Sequence, residues 1–117
     1  MSDAFLDATV VGMVHLPPLP GAPRYEGDRA AVRERALADA RALTDGGVDA
    51  VMVENFGDAP FYPDDVPKHV VSEMTALVGA VREETSLPVG VNVLRNDAEA
   101  ALSVAAATGA SAIRVNV

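Results

Sequence analysis

The side chains best suited to chemistry in this chain are Glu54, His15, Arg114 and a set of amides, and most of them sit in or at the end of a valine-rich run. "TVVGMVHL" (9–16) carries His15, "VDAVMVEN" (48–55) carries Glu54 and Asn55, "LPVGVNVL" (87–94) carries Asn92, and "SAIRVNV" (111–117) carries Arg114 and Asn116. A carboxylate or guanidinium among apolar neighbours is costly unless it is paired, so Glu54 and Arg114 are expected to approach one another or a shared ligand. In that setting Glu54 suits a general acid or base, and Arg114 suits an anionic group or developing negative charge. His15 suits proton transfer or orientation, and Asn92 and Asn116 suit orientation only, since an amide does not take up a proton at neutral pH.

Two loops add candidates for substrate contact. Asn55 and Asp58 belong to "NFGDAPF", and Arg95 and Asn96 belong to "LRND", where the guanidinium is a possible anion ligand. Each residue also has a plain structural reading. Glu54 is then a strand-end carboxylate in water, Arg114 half of a structural ion pair, His15 a hydrogen-bonded core histidine, and Asp58 a turn residue. Asn92 and Asn116 are then strand terminators, while Asn96 and Asp97 cap the helix that follows.

Several classes of function are disfavoured. The formal charge of −8 opposes a nucleic-acid partner, which needs clustered Lys and Arg. With no cysteine there are no disulfides, thiolate zinc sites or cysteine nucleophiles. No phosphate-cradling or dinucleotide glycine fingerprint is present, and no histidine and carboxylate share metal-ligand spacing within one helix or turn. Neither cofactor nor metal is expected, an ion shared by His15 and Glu54 being the weak alternative. "MSDAFLDAT" lacks the pattern of a signal peptide, and no apolar run has the length of a membrane span, so the expected compartment is the cytoplasm.

The elements that must position these residues follow from periodicity. After the first valine-rich run, the proline-loaded "PPLPGAP" stops regular structure. From Asp28, an N-cap, "RAAVRERALADARALTD" repeats Val32, Ala36, Leu37, Ala40 and Leu43 at helical spacing until "GG" closes it. Pro67 opens a second helix with Val70, Met74, Leu77, Val78 and Val81 on one face, and an alanine-rich third helix runs from Asp97 to Gly109. The order is β-α-β-α-β-α-β. "GGVDAVMVEN" and "TGASAIRVNV" also form a weak internal repeat of helix end, glycine and strand, as expected for parallel strands with helical crossovers.

Alternation sorts each strand into two faces. Val14 and Leu16, Val51 and Val53, Val89, Val91 and Val93, and Ile113, Val115 and Val117 form apolar sets. Opposite them stand Met13 and His15, Met52 and Glu54, Gly90 and Asn92, and Ala112, Arg114 and Asn116. A doubly wound sheet needs apolar residues on both faces, whereas a barrel turns one face into a lumen that opens at the C-terminal strand ends. The pattern therefore predicts an α/β fold of the TIM-type (β/α)₈ barrel kind, with parallel strands and helices outside. Glu54, His15, Asn92, Arg114 and Asn116 would meet at its mouth.

The stretches "GMVHLPPLPGAPRY", "GGVDAVMVENFGDAPF" and "LPVGVNVLRNDAEAAL…ATGASAIRVNV" closely resemble the BtpA/SgcQ family over nearly the whole chain, from Val11 to Val117. The resemblance implies a ribulose-phosphate-binding type of (β/α)₈ barrel. It also implies one of two roles: assembly or stability of photosystem I, or enzymatic action on a small phosphorylated sugar or nucleoside-like substrate. All the candidates named above fall in the matching stretches, which assign none of them a proven role. A full barrel of this kind takes about 250 residues. Against that length the resemblance implies that residues 1–117 form one unit, the N-terminal half of the barrel, without the last two strand-helix loops, where such barrels hold phosphate. Its two open sheet edges predict self-association or a missing complementary half, and the fragment alone is expected to be inactive.

Overall fold

A computed structural model describes residues 4–63 and 65–115 of the chain. Strands β1 (Val11–His15), β2 (Ala50–Glu54), β3 (Val89–Asn92) and β4 (Ala112–Ile113) alternate with helices α1 (Arg29–Asp45), α2 (Lys68–Glu84) and α3 (Ala98–Thr108). A single 3₁₀ turn, Phe56–Asp58, follows β2. All strand pairs are parallel and the sheet order is β1-β2-β3-β4, so each crossover places the next strand beside the last. The fold is α/β, and the arrangement agrees with the first half of a (β/α)₈ barrel.

Local chemistry sets the helix boundaries. Asp28 caps α1 by accepting from the Ala31 amide at 3.0 Å, and Asp97 caps α3 by accepting from the Ala100 amide at 2.9 Å. At the far end of α3 the chain turns through Gly109 at φ 73°, a left-handed conformation that a β-carbon would disfavour.

The helices bury one face of the sheet. Val14, Leu16, Val51, Val53, Val89, Val91 and Val93 are each at most 1% exposed, and they share a core with Val32, Ala36 and Ala40 of α1, Val70, Met74, Leu77, Val78 and Val81 of α2, and Ala101 and Val104 of α3. At about 1.5–3 kcal/mol per fully buried aliphatic side chain, this layer is the main stabilising feature. Met52 belongs to the opposite face and lies outside that core, yet it too is buried. Phe5 covers it there: a β-carbon on Gly90 would come within 2.9 Å of both the Phe5 ring and the Met52 methyl.

The strands are shorter than the valine-rich runs that encode them. The fourth run was expected to be strand throughout, with Arg114 in its middle; the strand instead ends at Ile113 and Arg114 follows it. Among the described residues β4 is paired only on its β3 side, so little cross-strand bonding holds it extended, although the Arg114 amide still donates to Val91 O at 3.0 Å. Asn116 and Val117 lie outside the described residues.

Candidate functional site

Parallel register sets the site. His15 lies level with Glu54 and Glu54 with Asn92, so the last residues of three neighbouring strands form one row at their C-terminal ends. These residues share the face that the helices do not cover, because each is offset by one from a core valine.

Glu54 is the centre of the row. Its side chain is only 8% exposed, and it accepts a hydrogen bond from Asn92 Nδ2 on Oε2 at 2.6 Å. His15 Nε2 approaches Oε1 at 3.7 Å, and a terminal guanidinium nitrogen of Arg114 approaches Oε2 at 3.9 Å. The expected approach of Glu54 and Arg114 is thus present, as a loose ion pair beyond hydrogen-bonding range. The partners differ in exposure: Asn92 is 4% exposed, whereas the side chains of His15 and Arg114 are 44% and 56% exposed. A buried carboxylate is thereby flanked by two groups that reach water. Beside His15, at the free edge of β1, a hollow of about 340 Å³ opens among Met13, Arg35, Asp39, Ala42 and Leu43.

The loop candidates occupy a second tier. Asn55 is 1% exposed and clasps the end of β3: its amide donates to Leu94 O at 3.3 Å, while Leu94 N donates to its Oδ1 at 2.6 Å. Asp58 Oδ1 accepts from the Leu19 amide at 2.8 Å and so ties the 3₁₀ turn to the proline-rich loop after β1. Burial raises the Asp58 pKa above the usual aspartate value, opposed by hydrogen bonds from Leu19 and Asn55 and by the nearby His69. These two loops are pressed together at Gly57, whose amide donates to Leu16 O at 3.0 Å; a β-carbon there would lie 2.5–2.7 Å from the backbone of Leu16, Pro17 and Pro18.

Arg95 and Asn96 are exposed in the turn before α3, and the Arg95 amide donates to Tyr62 O at 3.4 Å. Asp97 takes the capping role and also accepts from the Val66 amide at 2.8 Å, fastening the loop before α2 to the start of α3. The structure therefore groups Glu54, His15, Asn92 and Arg114, and makes loop clasps of Asn55 and Asp58, which follow β2. Arg95 and Asn96 sit in the next loop.

One residue of the site was not anticipated. Phe56 stacks on His15 with ring centroids 4.4 Å apart and planes 15° apart. Its signal was an aromatic two residues past a strand-end glutamate, at the start of a loop. Among the described residues no three His, Asp or Glu side chains converge as a metal site would need, and no helix is long and apolar enough to cross a membrane.

The model of the BtpA family matches residues 6–117. An uncharacterized protein of Thermococcus kodakarensis is 56% identical over 108 residues, covering 92% of this chain and 41% of that protein. The photosystem I biogenesis protein BtpA of Synechocystis is 53% identical over 108 residues, covering 92% of this chain and 38% of its own length. The putative sgc region protein SgcQ of Escherichia coli is 37% identical over 110 residues, covering 92% and 40%. The chain spans about two fifths of the length of these relatives. With a family model matched across almost all of it, the chain belongs to the BtpA family.

Proposed function

We propose that this chain carries part of the mouth of a barrel enzyme acting on a small phosphorylated sugar or nucleoside-like substrate, with residues 1–117 as one half-barrel unit. The observation that carries the reading is the buried Glu54 carboxylate, held by Asn92 and flanked by two water-accessible groups, His15 and Arg114. Shielding from water strengthens each electrostatic interaction there, and such a carboxylate suits proton abstraction or donation. Asn92 fixes its orientation. Arg114, loosely held by Glu54, is free to take an anionic group of the substrate or the charge that develops during reaction, and His15 orients the substrate or relays a proton. Isomerisation, lyase chemistry and glycosidic cleavage all fit this set. Phosphate would be held by strand-helix loops beyond β4, in the portion that the longer relatives possess. The cytoplasm as its compartment belongs to the same reading.

Glu54→Gln and Arg114→Met, introduced into a family-length chain, test it. Calorimetric titration with sugar phosphates and nucleosides should show Arg114→Met weakening the binding of anionic ligands, and Glu54→Gln should abolish turnover while leaving binding in place. Unchanged binding and turnover in both variants would end the proposal.

The identity of 53% to a photosystem I biogenesis protein favours a second reading, a non-catalytic assembly factor that keeps the mouth as a protein-binding surface. A host genome without photosystem genes would exclude that role, and a small ligand bound at Glu54 would favour the enzyme. For the chain by itself, the unpaired outer edges of β1 and β4, with Val10, Val11 and Val115 exposed beside them, support association with a second copy or a complementary half. Gel filtration that returned a compact monomer with cooperative unfolding would contradict this.

A further inference from the structure

We propose that Phe56 is a positioning residue of the site, which holds the His15 imidazole edge-on to Glu54 by stacking against its face. This inference rests on the reading of Glu54 and His15 as the reacting pair. His15 stands at the end of β1, an edge strand with a neighbour on one side only, and its side chain is 44% exposed. Sequence-local packing alone would leave the ring several orientations, because χ2 of a histidine is soft. Two contacts restrict it. Glu54 Oε1 faces Nε2 at 3.7 Å, and Phe56 covers the ring face at 4.4 Å with the planes 15° from parallel.

The backbone that carries the phenyl ring is tied down. Phe56 opens the 3₁₀ turn, the next residue is pressed onto the backbone of Leu16, Pro17 and Pro18, and the one after it is tied to the Leu19 amide. Leu16 to Leu19 immediately follow His15, so the two segments that carry the stack are tied to one another. Phe56 is 53% exposed and is not among the core residues, and its ring lies against the imidazole. The consequence is one favoured presentation of His15, with Nε2 toward Glu54.

The test is the placement of the His15 ring in the isotope-labelled chain, read from the shifts of its carbon-bound ring protons and from nuclear Overhauser contacts between those protons and the Glu54 side chain. The chain has only two histidines, so comparison with a His69→Gln variant assigns the signals. The native chain should show the His15 ring protons shifted upfield by the phenyl ring current and in contact with Glu54. Phe56→Leu should remove the upfield shift and weaken the contact with Glu54, and Phe56→Tyr should preserve both; far-UV circular dichroism should be the same for all three. A Phe56→Leu chain that kept the native contact between His15 and Glu54 would overturn the proposal. Should that variant fail to fold, native His15 ring protons with no upfield shift relative to those of His69 would overturn it equally. These readouts need no substrate, so failure of the stack is distinguishable from failure of the enzymatic reading, which turnover and ligand binding decide.

Discussion

Asn92→Leu isolates the bond on which the site depends. Asn92 and leucine are similar in size, so the change removes a donor without opening a large cavity. Glu54 Oε2 then loses its 2.6 Å hydrogen bond, and the remaining polar neighbours of the carboxylate, His15 and Arg114, stand at 3.7 and 3.9 Å, beyond hydrogen-bonding range, around a side chain that is only 8% exposed. Leaving a buried, charged acceptor without its donor costs about 1.5–3 kcal/mol. For a domain near this size that corresponds to a fall in Tm of roughly 10 °C. Replacing both partners, Glu54→Leu with Asn92→Leu, removes the unsatisfied charge as well as its donor, and should restore much of the loss. Urea unfolding of the native chain, the single variants Asn92→Leu and Glu54→Leu, and the double variant at neutral pH gives the coupling between the two residues directly. A loss below about 0.5 kcal/mol for Asn92→Leu, comparable with an ordinary surface change, would mean that Glu54 is well hydrated and that the site does not shield it.

Other perturbations address the supports of the site. Asp97→Ala removes both a helix cap and the partner of the Val66 amide, and should cost about 2–4 kcal/mol in urea unfolding; Asp28→Ala, which removes an exposed cap alone, should cost about 1 kcal/mol. Gly57→Ala should destabilise by about 1–3 kcal/mol in a thermal melt, because its β-carbon meets backbone atoms that cannot swing aside. Asp58 has a raised pKa in the folded chain, so the unfolded chain releases this proton first and the group's contribution to stability falls as pH rises from the ordinary value of 3.8 toward the raised one. Asp58→Asn, which keeps an acceptor for the Leu19 amide, should remove that acid-range decline from a series of melts at different pH.

Much of the fold was legible because helix and strand periodicities are local. The apolar positions read at helical spacing in α2 are all buried, and the split between Val51 with Val53 and Met52 with Glu54 separates the helix-covered core from the face that carries the site. Strand length was less legible. In the fourth run, β propensity extends past Ile113, but pairing on a single side does not hold all of it as strand. The loops were least legible. Asn55 and Asp58 offer the same donors and acceptors to a ligand or to a neighbouring backbone, and nothing in their types tells which one is near.

Residue order and alternation by themselves determined that Glu54, Asn92 and His15 share one face at one end of a parallel sheet, since side-chain direction follows from position along a strand. Only the tertiary structure decided their pairings. The Asn92–Glu54 bond joins residues 38 apart, the Asn55 clasp on Leu94 joins residues 39 apart, and the Phe56 ring reaches His15 across two loops. Such contacts depend on strand register and on how loops pack, and both arise only when distant parts of the chain come together to exclude water from the core.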